Sequence, residues 1–322
     1  MISAILSSDA AAQFAGQRVL LTGASGYLGG HVARQAFAAG VELHELGRRA
    51  GASDASFHPA DLTDGAAVAR IVMDVRPTAV IHCAAAGVTY GAVDFAAMLA
   101  VAVGGTRALY EACAALPQPP AVVHVGTGYE YGASDLPVTE DQPIVPSASV
   151  YGAAKAASSA VAGGFAASLR IMLLRPFYIY GGAEARGRLG PMLIAKARAG
   201  ERVELTGGAQ QRDFLHVDDA AGCIWTALAK AARADTPGLT VLNVGSGTAI
   251  TLRHFFEVLA AQLQCAGFPP DLALGALPYR ADQPMVSLPD VTRLFATLDW
   301  RPRVSLEQGI ADLVQQELAS CP

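Results

Sequence analysis

Arg18-Val19-Leu20-Leu21-Thr22-Gly23-Ala24-Ser25-Gly26-Tyr27-Leu28-Gly29 is the stretch that decides the fold. Its first four residues read as a strand and its glycines as a tight turn, after which Leu28, Val32, Ala36 and Ala39 recur at helical spacing. Such a turn brings backbone N–H groups close to a ligand, and the helix behind it offers its positive end to an anion. Gly23, Ser25, Gly26, Tyr27, Leu28 and Gly29 are therefore candidates for holding a dinucleotide pyrophosphate. The spacing departs from G-x-G-x-x-G, so a plain βα turn is the alternative until the rest of the chain is read.

Strand and helix signals keep alternating, as a parallel sheet requires. Gly40 ends the first helix, Val41 to Leu46 is a second strand running into Gly47-Arg48-Arg49, and a short third lies around Phe57. Ala79 to Cys83 is a fourth, apolar enough to be buried on both faces, and it opens into Ala84-Ala85-Ala86-Gly87. Ala121 to Val125 and Arg170 to Leu174 complete the run, the latter ending at Arg175-Pro176. Beyond Pro176 come Gly-rich connections, a helix near Gly190 to Gly200, a strand-pair candidate at Val203 to Leu205, and a helix at Leu252 to Gln264. The helix Val217 to Lys230 and the core-type strand Thr240 to Val244 return to the first domain. The expected fold is α/β: a Rossmann-type doubly wound parallel sheet from residues 1-177 and 217-246, with a smaller C-terminal α/β substrate lobe from 178-216 and 247-322.

Composition narrows the function. Of 322 residues, 52% are hydrophobic and 16% charged, which fits an ordered globule. A net charge of −5 gives no overall attraction to nucleic acid or anionic lipid. Cys83, Cys113, Cys223, Cys265 and Cys321 are scattered without Cys-x-x-Cys spacing, as expected of reduced thiols in a cytoplasmic protein with no structural zinc. No apolar run reaches the roughly 18 to 20 residues of a membrane span. Met1 to Gln17 lacks the basic start and apolar core of a signal peptide and reads as a short surface helix.

Chemistry enters at Val150-Tyr151-Gly152-Ala153-Ala154-Lys155. Four residues apart, Tyr151 and Lys155 share a helix face, where an ammonium favours the neighbouring phenolate. A free tyrosine has a pKa near 10, so this pairing would tune Tyr151 as an acid/base.

Five more stretches join these two: Asp61-Leu62-Thr63-Asp64, Leu174-Arg175-Pro176-Phe177-Tyr178-Ile179-Tyr180-Gly181, Arg212-Asp213-Phe214-Leu215-His216-Val217-Asp218-Asp219, Asn243-Val244-Gly245-Ser246-Gly247 and Leu298-Asp299-Trp300-Arg301-Pro302. With them the chain resembles, over nearly its whole length, the extended short-chain dehydrogenase/reductases of the NAD-dependent epimerase/dehydratase family. The resemblance implies NAD(P) on the Rossmann domain and, commonly, a nucleotide-linked sugar under the second lobe. It assigns catalysis to Thr127, Tyr151 and Lys155, with Lys155 also on the nicotinamide ribose. It puts Asp61 and Leu62 near the adenine, and Ala84, Ala85, Ala86 and Pro176 along the cofactor. Tyr178, Arg212 and Arg280, with Thr127, fall at substrate positions, and the two arginines match residues that bind a diphosphate. His216-Val217-Asp218-Asp219 is a structural helix start and not a metal site.

Departures from the pattern refine the activity. Gly47 stands where an acidic residue usually takes the adenine ribose, and Arg48 and Arg49 follow it, so NADP is favoured over NAD. Glu45 supplying the ribose contact is the alternative. Tyr178 and Ala102 replace asparagines frequent in relatives. Gly128 and Tyr129 occupy the positions where sugar dehydratases carry Asp and Glu, which disfavours dehydration, although Glu130 lies one place later. The expected activity is reduction of a nucleotide-linked 4-keto-6-deoxysugar. A nucleotide-sugar C4 epimerase, a reductase of a non-sugar carbonyl, and a non-catalytic cofactor-sensing protein are the alternatives. By analogy with relatives, helices at Asp94 to Ala115 and Tyr151 to Ala167 would build a homodimer.

Overall fold

The computed structural model of the chain describes residues 9–51, 55–87, 94–145, 149–280 and 284–319. Met1 to Ser8 and Cys321 lie outside the described residues. Among those described, strands β1 (Arg18–Thr22), β2 (Glu42–Gly47), β3 (Ser56–Pro59), β4 (Ala79–His82), β5 (Ala121–Val125) and β6 (Arg170–Pro176) form one parallel sheet with Gly238–Val244. The order across the sheet is β3-β2-β1-β4-β5-β6 and then Gly238–Val244, which makes it Rossmann-like. The expected return of the chain to this sheet is borne out: Gly238–Val244 pairs with β6 from Gly238↔Arg170 to Val244↔Pro176.

Parallel strands need helical crossovers, and those helices bury both faces of the sheet. On one side Val32 and Ala36 of helix Tyr27–Ala38 pack with Ile224, Trp225 and Leu228 of helix Val217–Ala232. On the other, helices Gly65–Val75, Thr106–Ala114 and Val150–Gly164 bring in Val68, Ile71, Leu109 and Ala162. A third cluster lies off the sheet, where helices Leu189–Arg198, Leu252–Cys265 and Leu306–Ala319 bury Leu193, Phe255, Leu259 and Leu313. The Val203 to Leu205 candidate is Arg202–Leu205, paired in parallel with Asp271–Leu274.

Three local features differ from the sequence reading. The described part of the surface helix expected at Met1 to Gln17 is a helix only at Asp9–Ala12, and it is anchored in the core: Ala11 and Phe14 are buried, with the Phe14 ring 5.8 Å from that of Trp225. The sequence reading has no helix at Gly65–Val75; Asp64 caps one there, accepting from the Ala67 N–H at 3.0 Å. The helix expected from Asp94 to Ala115 is α-helical at Phe95–Leu99 and Thr106–Ala114 but wound as a π-helix over Ala100–Gly105. The wide turn ends where the helix presses on Leu62: a Cβ on Gly105 would stand 2.9 Å from that of Leu62.

Candidate active site

Strand order reverses between β1 and β4, so a crevice opens above their carboxyl ends. Both lips of that crevice come from predicted residues. Gly23 has φ +80°, and a Cβ there would stand 2.7 Å from the Ala84 nitrogen, so the glycine turn and the loop after β4 are in contact. A Cβ on Gly29 would run into the Gly23 carbonyl oxygen. Such a cradle suits a ligand held by backbone N–H groups. Gly29→Ala should therefore lose at least tenfold in NAD(P)H affinity and about 1–3 kcal/mol of stability through overpacking, read by fluorescence titration and thermal melting. A variant that binds NAD(P)H normally would disprove the close approach.

Around the cradle the predicted cofactor residues take different postures. Ser25 and Gly26 are exposed at the lip, and Ala84, Ala85 and Ala86 are half-buried. Leu28 and Pro176 line one small apolar gap together with Val125, Leu174, Ile179 and Val244. Tyr27 sends its phenol into the Gly181 turn, where burial and the charges of Glu184 and Asp218 push its pKa far up. Asp61 accepts from the N–H and hydroxyl of Thr63, at 2.9 and 2.7 Å, and those bonds hold its carboxyl below the usual range. Leu62 is buried against Gly105. Arg48 and Arg49 are exposed beyond β2, Arg48 lying 3.9 Å from Asp61. Glu45 is buried and accepts from the Gly51 N–H at 2.7 Å.

Thr127, Tyr151 and Lys155 converge on the carboxyl end of β5. Thr127 caps the 3₁₀ turn Gly128–Glu130, its hydroxyl accepting from the Tyr129 N–H at 3.3 Å. That turn packs so closely on helix Val150–Gly164 that a Cβ on Gly152 would collide with the Tyr129 carbonyl oxygen. Ser149 starts the helix by accepting from the Gly152 N–H at 3.1 Å. Lys155, one turn below Tyr151, is buried and donates to the Val125 carbonyl oxygen at 2.5 Å. Burial lowers the Lys155 pKa, with Glu130 and Cys83 opposing the shift. Burial likewise pushes Tyr151 up to about 12, with Glu130 adding to the rise and Arg188 opposing it. The expected lowering of the phenol by Lys155 is not seen: desolvation dominates, and the cation that opposes it is Arg188.

Glu130 stands out here. It is fully buried, accepts from the Thr127 N–H at 2.9 Å and pairs with Arg175 Nε at 2.8 Å. Arg175 in turn donates to the Tyr131 hydroxyl at 2.7 Å, and that hydroxyl donates to Asn243 Oδ1 at 2.8 Å. The carboxylate therefore fixes Thr127 on the sheet.

Behind Lys155 runs a buried chain of polar side chains that the apolar reading of β4 and β5 did not anticipate. It links Thr22, His82, Thr106, Ser158, His124 and Tyr110 through contacts of 2.6, 3.0, 2.9, 3.3 and 2.8 Å in turn. The Ala84 N–H donates to Thr22 at its cofactor end, at 3.3 Å. Burial and then the Lys155 charge lower His82 to about 3 and His124 well below the usual value, so both rings are neutral.

The residues expected at the substrate lie among aromatic rings. The Tyr129 and Tyr178 rings stand edge to face at 6.3 Å, Tyr178 meets Phe214 at 6.0 Å, and Phe177 fills the space beside Gly128. The Arg212 guanidinium lies over the Tyr178 ring at 5.2 Å and is buried, donating to the carbonyls of Gln211, Met285 and Pro284. Arg280 is exposed. Asp213 fastens this segment by accepting from the Ser246 and Gly247 N–H groups at 2.6 and 2.7 Å. Sequence reasoning missed Arg188, which directly precedes helix Leu189–Arg198 and acts electrostatically on Tyr151, Tyr129 and Tyr27. The signal was available in the charged, glycine-flanked run from Glu184 to Arg188. His216 and Asp219 have structural work: His216 caps helix Val217–Ala232, and Asp219 accepts from the Arg303 and Val304 N–H groups.

Comparison with known proteins agrees with this geometry. The chain is 30% identical over 337 aligned residues to a dTDP-glucose 4,6-dehydratase of Xanthomonas campestris, covering 94% of this chain and 93% of that protein. It is 31% identical to the dTDP-6-deoxy-L-talose 4-dehydrogenase (NAD(P)(+)) of Kitasatospora kifunensis, covering 92% and 94%. Among solved structures, the UDP-glucose 4-epimerase of Thermus thermophilus in complex with NAD superposes with a TM-score of 0.76 at 26% identity, over 94% of this chain and all of that one. The pattern of the NAD dependent epimerase/dehydratase family matches residues 19–245, from β1 through the Asn243 turn, and the chain belongs to that family.

Proposed function

We propose that the protein is an NAD(P)-dependent oxidoreductase acting on a nucleotide-activated sugar, a 4-keto-6-deoxysugar reductase that prefers NADP to NAD. Glu130 carries the reading. Removal of water from a hexose requires an available acid and base beside the catalytic threonine, whereas Gly128 and Tyr129 are not carboxylates and Glu130 is locked onto Arg175 and the Thr127 N–H. The relatives that act on dTDP-linked sugars support the nucleotide-sugar class. Gly47 and the exposed Arg48 and Arg49 support the 2′-phosphate of NADP. Residues 1-177 with 217-246 would hold the cofactor and 178-216 with 247-322 the sugar. A cytoplasmic homodimer completes the proposal, with the exposed Phe95 and Val150 at the starts of two helices that would face the second subunit.

Bound NADPH supplies the hydride. Thr127 holds the ketone oxygen by its hydroxyl, and Tyr151 delivers its proton to that oxygen. Burial keeps the phenol protonated in the cofactor-free protein, the form that reduction uses. Lys155, fixed on Val125, places its charge under the cofactor ribose.

The test is the cofactor state of the purified protein. Denaturation should release no tightly held nucleotide, and the protein should prefer NADPH to NADH in titration. The double variant Arg48→Ala/Arg49→Ala should lose NADPH affinity by roughly 10- to 100-fold, as expected from one or two charge-assisted bonds, with NADH affinity unchanged. Tightly co-purified NAD would instead identify a C4 epimerase that returns its own hydride.

A further inference from the structure

Around the catalytic set the cleft is walled by carbon on one side. Tyr129 begins two residues after Thr127, with its N–H on the Thr127 hydroxyl and its carbonyl pressed against Gly152, beside Tyr151. Its ring is 45% exposed, so it faces open space. Tyr178, half-buried, stands edge-on to it, and Phe214 and the Arg212 guanidinium back the Tyr178 ring from behind. Three of the Arg212 N–H groups go to backbone carbonyls, which hold the guanidinium over the ring.

We propose that Tyr178, with Tyr129, selects the substituent at sugar C5, favouring the methyl of a 6-deoxysugar over a hydroxymethyl group. The inference rests on the reductase reading above. Thr127 and Tyr151 mark the position of the C4 oxygen, so a wall starting at Tyr129 faces one of the two neighbours of C4. On one side of C4 is the C3 hydroxyl, on the other the C5 substituent. A hydroxyl pressed on aromatic carbon loses its water without gaining a partner, while a methyl gains contact area. The wall therefore takes the C5 side and rewards the methyl. An apolar wall discriminates weakly against an added hydroxyl, so the preference is on the order of 10- to 100-fold in kcat/KM.

The experiment runs in the oxidation direction with NADP, where both sugars are stable. dTDP-linked 6-deoxyhexoses of each C4 configuration are compared with the dTDP-linked hexoses of the same configuration. Wild-type protein should prefer the 6-deoxysugar by that factor. Tyr178→Asn should bring the ratio near one mainly by raising turnover of the hexose relative to the deoxysugar. Tyr178→Phe should keep the ratio, because the ring and not its hydroxyl does the sorting, and it also controls for folding. A wild-type ratio near one, a ratio untouched in Tyr178→Asn, or one abolished in Tyr178→Phe overturns the inference while the reductase reading stands. Turnover of neither sugar by a protein that binds NADPH overturns both.

Discussion

Tyr151→Phe is expected to lower turnover by about 10²- to 10⁴-fold, the usual worth of a positioned acid or base, while the protein still binds NADPH. The phenyl ring fits the same place beside the Thr127 turn, so the loss isolates the proton. The pH profile gives the sharper test. Reduction uses the protonated phenol, the form present below its pKa, and burial pushes that pKa up to about 12 in the cofactor-free protein. The reduction rate should therefore stay flat from about pH 6 to 9. Oxidation uses the phenolate, so its rate should climb about tenfold per pH unit over the same range, levelling only where bound NADP⁺ brings the phenol to its pKa. A variant retaining a tenth of the activity, or a reduction rate that climbs with pH, would refute Tyr151 as the proton donor.

Glu130→Ala should destabilise the protein by about 3–5 kcal/mol, because it leaves the Arg175 cation in the interior without its carboxylate. Arg175 keeps only the Tyr131 hydroxyl among the side-chain bonds described above, and the Thr127 N–H loses its acceptor. The thermal transition of a chain this long should fall by roughly 5–10 °C. Glu130→Gln keeps an acceptor for Thr127 but not the charge, and should fall between wild type and alanine. Unfolding within 1 kcal/mol of wild type for Glu130→Ala would mean that the pair is dispensable.

The two variants report on features that the sequence disclosed to different degrees. The glycine turn, the six strands before Pro176 and the Tyr151/Lys155 helix were legible because each depends on local spacing: apolar continuity for a strand buried on both faces, three-to-four periodicity for a helix, glycine where a Cβ has no room. Glu130 was not. Three residues from Thr127 it looked like a spare catalytic carboxylate, and only the arrival of Arg175 from 45 residues away makes it structural. The bonds that Arg212 makes to carbonyls some 70 residues on were equally invisible, because they join segments far apart in the chain. Helix Gly65–Val75 and the π-turn at Ala100–Gly105 escaped for opposite reasons. The first has a clear periodicity that a closer reading recovers, whereas the second depends on where the helix meets Leu62, which no local pattern encodes.

The run from Thr22 to Tyr110 has one property that pairwise contacts do not express. Each neutral histidine carries a single ring hydrogen, and each hydroxyl a single one of its own. Hydrogens along the run can therefore point all one way or all the other without leaving a junction doubly filled or empty. Turning one link obliges the rest to turn. The orientation of the Thr22 hydroxyl, under the loop after β4, is thereby tied to that of Tyr110 on helix Thr106–Ala114, and the interior carries a polarity that heavy-atom positions alone do not reveal.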